Sequence, residues 1–146
     1  MDRIKRLAFT LKRRFGTDDP FALCDRLDIP VLKVPLPERV RGFFTKICET
    51  KLVYVNTELP FCEAQLVCAH ELGHALLHED LNRFFITSST FQVESRFERE
   101  ADYFAVCVLV DDAKTLYEQH GFCTNEQIAS FYGFEERMIA LRYGNS

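Results

Sequence analysis

Helical spacing of apolar residues governs both ends and the middle of the chain, whereas strand-like runs cluster in residues 31–56. Ile4, Leu7, Ala8 and Leu11 recur every three or four positions between Arg3, Lys5, Arg6, Lys12, Arg13 and Arg14, predicting an amphipathic first helix with a basic face over residues 1–16. Thr17-Asp18-Asp19-Pro20 then offers a cap and a proline for the first turn of a short helix over Phe21 to Leu27. Pro30, Pro35 and Pro37 forbid a long helix and leave Val31 to Val34 as a short strand. Gly42 to Ile47 and Lys51 to Asn56 are β-branched and aromatic around a polar turn at Glu49-Thr50, which predicts a hairpin and, with the first strand, a small antiparallel sheet. Glu63 to His78 lacks proline and repeats Ala64, Val67, Cys68, Leu72, Ala75 and Leu76 at helical intervals. Phe84 to Phe91 reads as a further strand or extended loop, and Glu94 to Val110 as a second long helix facing the first. The last part, residues 112–146, reads as short helices broken near Gly121 and Gly133.

With 47% of its 146 residues apolar, the chain can bury the core of one domain spanning 1–146 without help from a metal or disulfides. The net charge of −4 gives no overall attraction to nucleic acid or to anionic membranes. The basic first helix is read as a solvated face on a core-packing helix, with a docking surface for an acidic partner or nucleic acid as the alternative. The helix-turn-helix-like order from Thr124 to Arg142 is a pattern common in helical packing, so direct nucleic-acid binding is not expected. The apolar run Tyr103 to Val110 falls far short of the ~20 residues that cross a bilayer, so no membrane partner is expected. Neither end of the first helix looks like a secretory signal, and a cytoplasmic protein follows as the expectation. Six scattered cysteines, Cys24, Cys48, Cys62, Cys68, Cys107 and Cys123, form no CxxC pair and read as free thiols.

What changes the picture is His70-Glu71-Leu72-Gly73-His74, an HExxH string inside the middle helix. Residues four apart on a helix share one side, so two imidazoles can converge on one ion at ~2.0–2.1 Å. Glu71 points away from that pair and is the expected general base, acting on a water at the site. Such a string arises by chance in roughly one chain in a hundred of this composition, so the third ligand decides. A metzincin-like arrangement would need glycine at 77 and its ligand at 80, where this chain has Leu77 and Asp80. His78 lies ~12 Å along the axis from His70, too far to share its ion. Cys68 faces another direction and belongs to the core. Glu94, Glu98 and Glu100 of the second long helix remain as candidates. Glu98 and Glu100 face different ways, and Glu100 is favoured because Ala101, Phe104 and Ala105 beside it suit close helix packing. Two histidines and one glutamate with an open fourth position is a catalytic arrangement for one zinc ion per chain. His78, Tyr103, His120 and Tyr132 are all candidate oxyanion donors, and Asp102 is either a carboxylate supporting a ligand or a surface residue.

The segments Ala69-His70-Glu71-Leu72-Gly73-His74-Ala75-Leu76-Leu77-His78 and Glu98-Arg99-Glu100-Ala101-Asp102-Tyr103-Phe104-Ala105 resemble the paired AHELGHxxxH and ExEA(N/D)xFA patterns of the ImmA/IrrE family of small metallopeptidases. The similarity extends over roughly residues 20–110 and departs where the family's Met-Pro helix end is replaced by Val106 to Asp112. The resemblance implies an α+β fold of the zincin, gluzincin-like type, with the small sheet packed on the metal helix and a second ligand helix. It places the metal ligands on His70, His74 and Glu100 and the base on Glu71. It also implies a protein substrate, a helix-turn-helix repressor of a phage or mobile element. A zincin-fold module that binds a repressor or antitoxin without cutting it is the alternative reading.

Overall fold

The computed structural model describes residues 1–79 and 91–144, and the side chains of all of these but 91–95. The stretch expected as a strand or loop at 84–90, Asp80, and the Glu94 side chain lie outside what it describes. Two helices, α1 (Asp2–Phe15) and α2 (Pro20–Arg26), lead into a three-stranded sheet, β1 (Val31–Val34), β2 (Gly42–Ile47) and β3 (Thr50–Asn56). Then come two long helices, α3 (Phe61–Leu77) and α4 (Phe91–Leu109), and three short ones, α5 (Ala113–His120), α6 (Asn125–Tyr132) and α7 (Glu136–Tyr143).

Local chemistry explains the boundaries. The Asp19 side chain accepts from the Phe21 amide with Pro20 in the first turn, starting α2 where the sequence placed it. Thr124 and Gln127 form a reciprocal capping box for α6. Gly121 and Gly133 end α5 and α6 in the left-handed region, at φ +72° and +75°, where a β-carbon would clash with its own backbone.

β2 and β3 form the expected antiparallel hairpin. β1, however, pairs with β3 in parallel, giving the order β1-β3-β2 and a mixed sheet rather than an antiparallel one. The segment after β1 carries Pro35 and Pro37, crosses the end of β3, and enters β2 on the far edge, so the hairpin's return strand runs alongside β1 in the same direction. Buried Asn56 pins that crossover. Its Nδ2 donates to the carbonyls of Leu36 (3.2 Å) and Val40 (3.0 Å), and its Oδ1 accepts from the Glu58 amide at 3.1 Å. An Asn56→Ala chain should lose about 1–3 kcal/mol in denaturant unfolding, since buried carbonyls lose their donor; an unchanged midpoint would show that water replaces it.

Two apolar clusters fill the interior. The larger joins Ile4, Ala8 and Leu11 of α1, Leu23 and Cys24 of α2, Phe44, Val53 and Val55 of the sheet, Val67, Cys68 and Leu72 of α3, and Phe104, Cys107 and Val108 of α4. The smaller joins Val106 of α4 and Val110 just past its end to Leu116, Ile128, Ala129, Met138 and Ile139 of the last three helices. Thus α4 contributes to both. No helix among the described residues is long and apolar enough to cross a membrane.

Candidate metal centre

α3 and α4 approach closely where Gly73 meets Ala101 and Phe104. A β-carbon on Gly73 would sit 3.1 Å from Phe104 Cδ1 and 3.3 Å from Ala101 Cα. The glycine inside HExxH therefore sets the helix separation. A Gly73→Val chain, which adds branched bulk there, should unfold at about 1–3 kcal/mol lower stability in its metal-free form; equal stability would mean that the helices part at no cost.

Held this close, the two helices present a converging set of donors. His70 Nε2 and His74 Nε2 lie 3.2 Å apart. The Glu98 carboxylate faces both, with Oε2 3.0 Å from His70 Nε2 and Oε1 2.9 Å from His74 Nε2. Ligands at ~2.0–2.1 Å in a tetrahedron are about 3.4 Å from one another. The two nitrogens and the two oxygens of this one carboxylate, 2.9–3.2 Å apart in these three pairs, thus come within about half an ångström of the edges of such a site. His70, Glu71 and His74 also form a group of possible metal ligands whose donor atoms lie within 4.8 Å of one another.

The electrostatics favour a cation at that point. Burial disfavours charge on His70, but its hydrogen bonds to Asp102 and Glu98, with Glu71 nearby, more than offset this and hold its pKa up at about 10. The same two histidines, through hydrogen bonds and charge, keep the Glu98 carboxyl below the usual carboxylate range against the effect of its partial burial. Asp102 supports His70 from behind, with Oδ1 2.7 Å from Nδ1, and its other oxygen accepts from Arg137 at 3.3 Å. Asp102 thus contacts His70, as the first of its two readings requires. Glu71 is 4% exposed, with its Oε2 3.9 Å from His70 Nε2.

Glu100, the carboxylate the sequence favoured, is not at the histidine pair. It bonds His78 Nε2 at 2.8 Å instead. The reason is rotational. Glu98 and Glu100 project about 160° apart around α4, and Glu98 shares a flank with Asp102, one turn on, so these two carboxylates face His70 together. Along α3 each step of four residues turns by about 40°, which carries His78 round to the opposite flank, where Glu100 is.

The site opens into a cleft of about 430 Å3. One wall is Arg41 and Gly42 at the start of β2 with Leu66 and Val67 of α3; the other is Gly133 to Glu135, Arg137 and Met138. A β-carbon on Gly42 would collide with the Tyr54 carbonyl (2.5 Å) and Val67 Cγ1 (2.6 Å), so only glycine lets β2 lie this near α3. None of the expected oxyanion donors lines this cleft. His78 is buried behind His74; Tyr103 is buried; the Tyr132 hydroxyl accepts from the Asp111 amide; and His120 stacks on Phe122 and lies tilted against Phe131. Two cations that sequence reasoning missed, Arg41 and Arg137, do line it, and no spacing signal connects either to HExxH.

The sequence pattern of a peptidase family described as the IrrE N-terminal-like domain matches residues 24–143. The chain belongs to the ImmA/IrrE family of metallopeptidases. Metallopeptidase ImmA of Bacillus subtilis is 31% identical over 135 residues, covering 88% of this chain and 77% of that protein. Immunity region protein 2 of Bacillus phage phi105 is 30% identical over 139 residues, covering 95% of this chain and 88% of its own. A solved Mycobacterium tuberculosis transcriptional regulator has the same fold, with a TM-score of 0.66 at 16% identity over 99% of this chain; the chain spans 47% of that regulator. An ImmA/IrrE protein implies a bound metal ion, and the donor set described above suits one.

Proposed function

We propose that this ImmA/IrrE protein is a zinc-dependent endopeptidase, with His70, His74 and Glu98 as ligands and Glu71 as general base, that cuts a regulatory protein, a helix-turn-helix repressor of a phage or mobile element. The observation carrying this reading is the mutual 2.9–3.2 Å spacing of the two Nε2 atoms and the Glu98 carboxylate, with Glu71 beside them at the cleft. The nitrogen-rich donor set, two imidazoles and one carboxylate, suits zinc better than magnesium or calcium, which prefer all-oxygen shells. When bound there, zinc supplies Lewis acidity to a scissile carbonyl and makes water a stronger acid.

The protein's own groups do the rest. The nearly enclosed Glu71 carboxylate can take a proton from the attacking water and return it to the departing amine, so that one residue serves as base and then acid. Asp102 keeps the His70 ring oriented with its Nε2 toward Glu98. The walls formed by β2 and by Gly133 to Met138 leave room for an extended segment and shield Glu71 from bulk water. The relatives named for an immunity region and for ImmA support a phage-type regulatory target.

The test incubates zinc-loaded protein with helix-turn-helix repressors of phages and mobile elements and follows new termini by mass spectrometry. A single new cut that vanishes in Glu71→Gln is the expected result. Tight binding without any cut, identical for both forms, would replace the peptidase reading by that of a repressor-binding module.

A further inference from the structure

Behind the two histidines lies a second pair of ionisable side chains that the proposed chemistry leaves unused. His74 Nδ1 is 3.0 Å from His78 Nδ1, and His78 Nε2 is 2.8 Å from Glu100 Oε1. The His78 side chain is 4% exposed and is flanked by Phe97, with ring centroids 4.6 Å apart, while Glu100 is 23% exposed. The row therefore runs from the centre of the site to the protein surface.

Proton positions along this row follow from the chemistry of its ends. If His74 is to offer a lone pair at Nε2, where it faces His70 and Glu98, its proton must be on Nδ1. That N–H points at His78 Nδ1, which must then be an acceptor. A neutral His78 with an unprotonated Nδ1 carries its proton on Nε2, and that N–H donates to the Glu100 carboxylate. Each link demands the next, and the carboxylate can only accept. His70 needs no such intermediary, because Asp102 takes its Nδ1–H directly.

We infer that His78 and Glu100 are positioning residues for zinc, a two-member relay that fixes the tautomer and ring orientation of His74 as Asp102 does for His70. This rests on the proposed metal site, and it assigns to Glu100 a role one residue removed from the ion. The asymmetry has a chemical consequence: His70 leans on a carboxylate, whereas His74 leans on a neutral imidazole polarised by one.

The test is a zinc competition titration of metal-free protein against a chromophoric chelator, with the melting temperature of each metal-free form measured alongside. His78→Phe keeps a flat ring of similar size and removes the acceptor; it should weaken zinc binding by about 10–100-fold. Glu100→Ala should weaken it less, by up to about 10-fold, and Glu100→Gln, whose carbonyl still accepts from His78, should restore most of the loss. Cobalt-loaded His78→Phe should show altered visible bands, a change that general loosening of the fold does not produce. Wild-type affinity in His78→Phe overturns the relay. So does a Glu100→Ala loss as deep as that of Glu98→Ala with no recovery in Glu100→Gln, because Glu100 would then be a ligand. Should His78→Phe fail to fold, the two Glu100 variants, changed at the solvent end of the row, decide alone. If Glu98→Ala keeps zinc as tightly as wild type, it is the proposed metal site that fails.

Discussion

Changing Glu71 to Gln should leave zinc content at the wild-type level while lowering peptide-bond hydrolysis by about 10²–10⁴-fold, the range that a positioned proton acceptor contributes. The side chain keeps its shape and its buried place beside His70 and loses only the ability to accept a full proton. Rates of cleavage and metal analysis on the same samples check both halves. A variant that loses zinc along with activity would make Glu71 part of the ligand set, in line with its donor atom lying within 4.8 Å of those of His70 and His74, and would remove the base from the mechanism.

The second large effect concerns the third ligand. Glu98→Ala removes the carboxylate that bonds both Nε2 atoms, and zinc binding should fall by well over the roughly 100-fold that marks the upper end for a supporting residue. Glu100→Ala in parallel should show a far smaller loss. Elemental analysis after dialysis against a weak chelator distinguishes the two: zinc absent from the Glu98 variant and present in the Glu100 variant is the expected pattern. The reverse pattern would mean that α4 turns by about half a revolution when the ion enters, bringing the residue favoured from the sequence into the site.

That pair of glutamates shows where sequence reading stops. The spacing of His70 and His74 needs only the pitch of a helix, so their convergence, and the separate direction of Glu71, are legible from four consecutive turns of apolar and polar residues. The caps at Asp19 and Thr124 and the breaks at Gly121 and Gly133 are local in the same way. Choosing between Glu98 and Glu100 requires the phase of one helix against another, which is set by Gly73 seating on Ala101 and Phe104. The apolar residues near Glu100 do mark the packed face, but that face has two flanks. A signal was available: Glu98 and Asp102, four apart, form a carboxylate pair with the same spacing as the histidine pair they meet. The parallel pairing of β1 was illegible for a related reason, since it depends on which edge the crossover segment reaches, held there by Asn56 contacts more than fifteen residues away in sequence.

The two walls of the cleft lean on different apolar clusters, with α4 as their shared partition and Leu66 of α3 and Leu141 of α7 each reaching across to the other cluster. His70, His74 and β2 are anchored in the larger cluster, whereas Met138, behind Arg137, is anchored in the smaller. The cleft is in this sense a seam, tied across by the ion pair of Arg137 with Asp102. Substitutions that loosen α5 to α7 should alter which polypeptide segments gain entry, and they reach the His70 side of the site through the contact of Arg137 with Asp102.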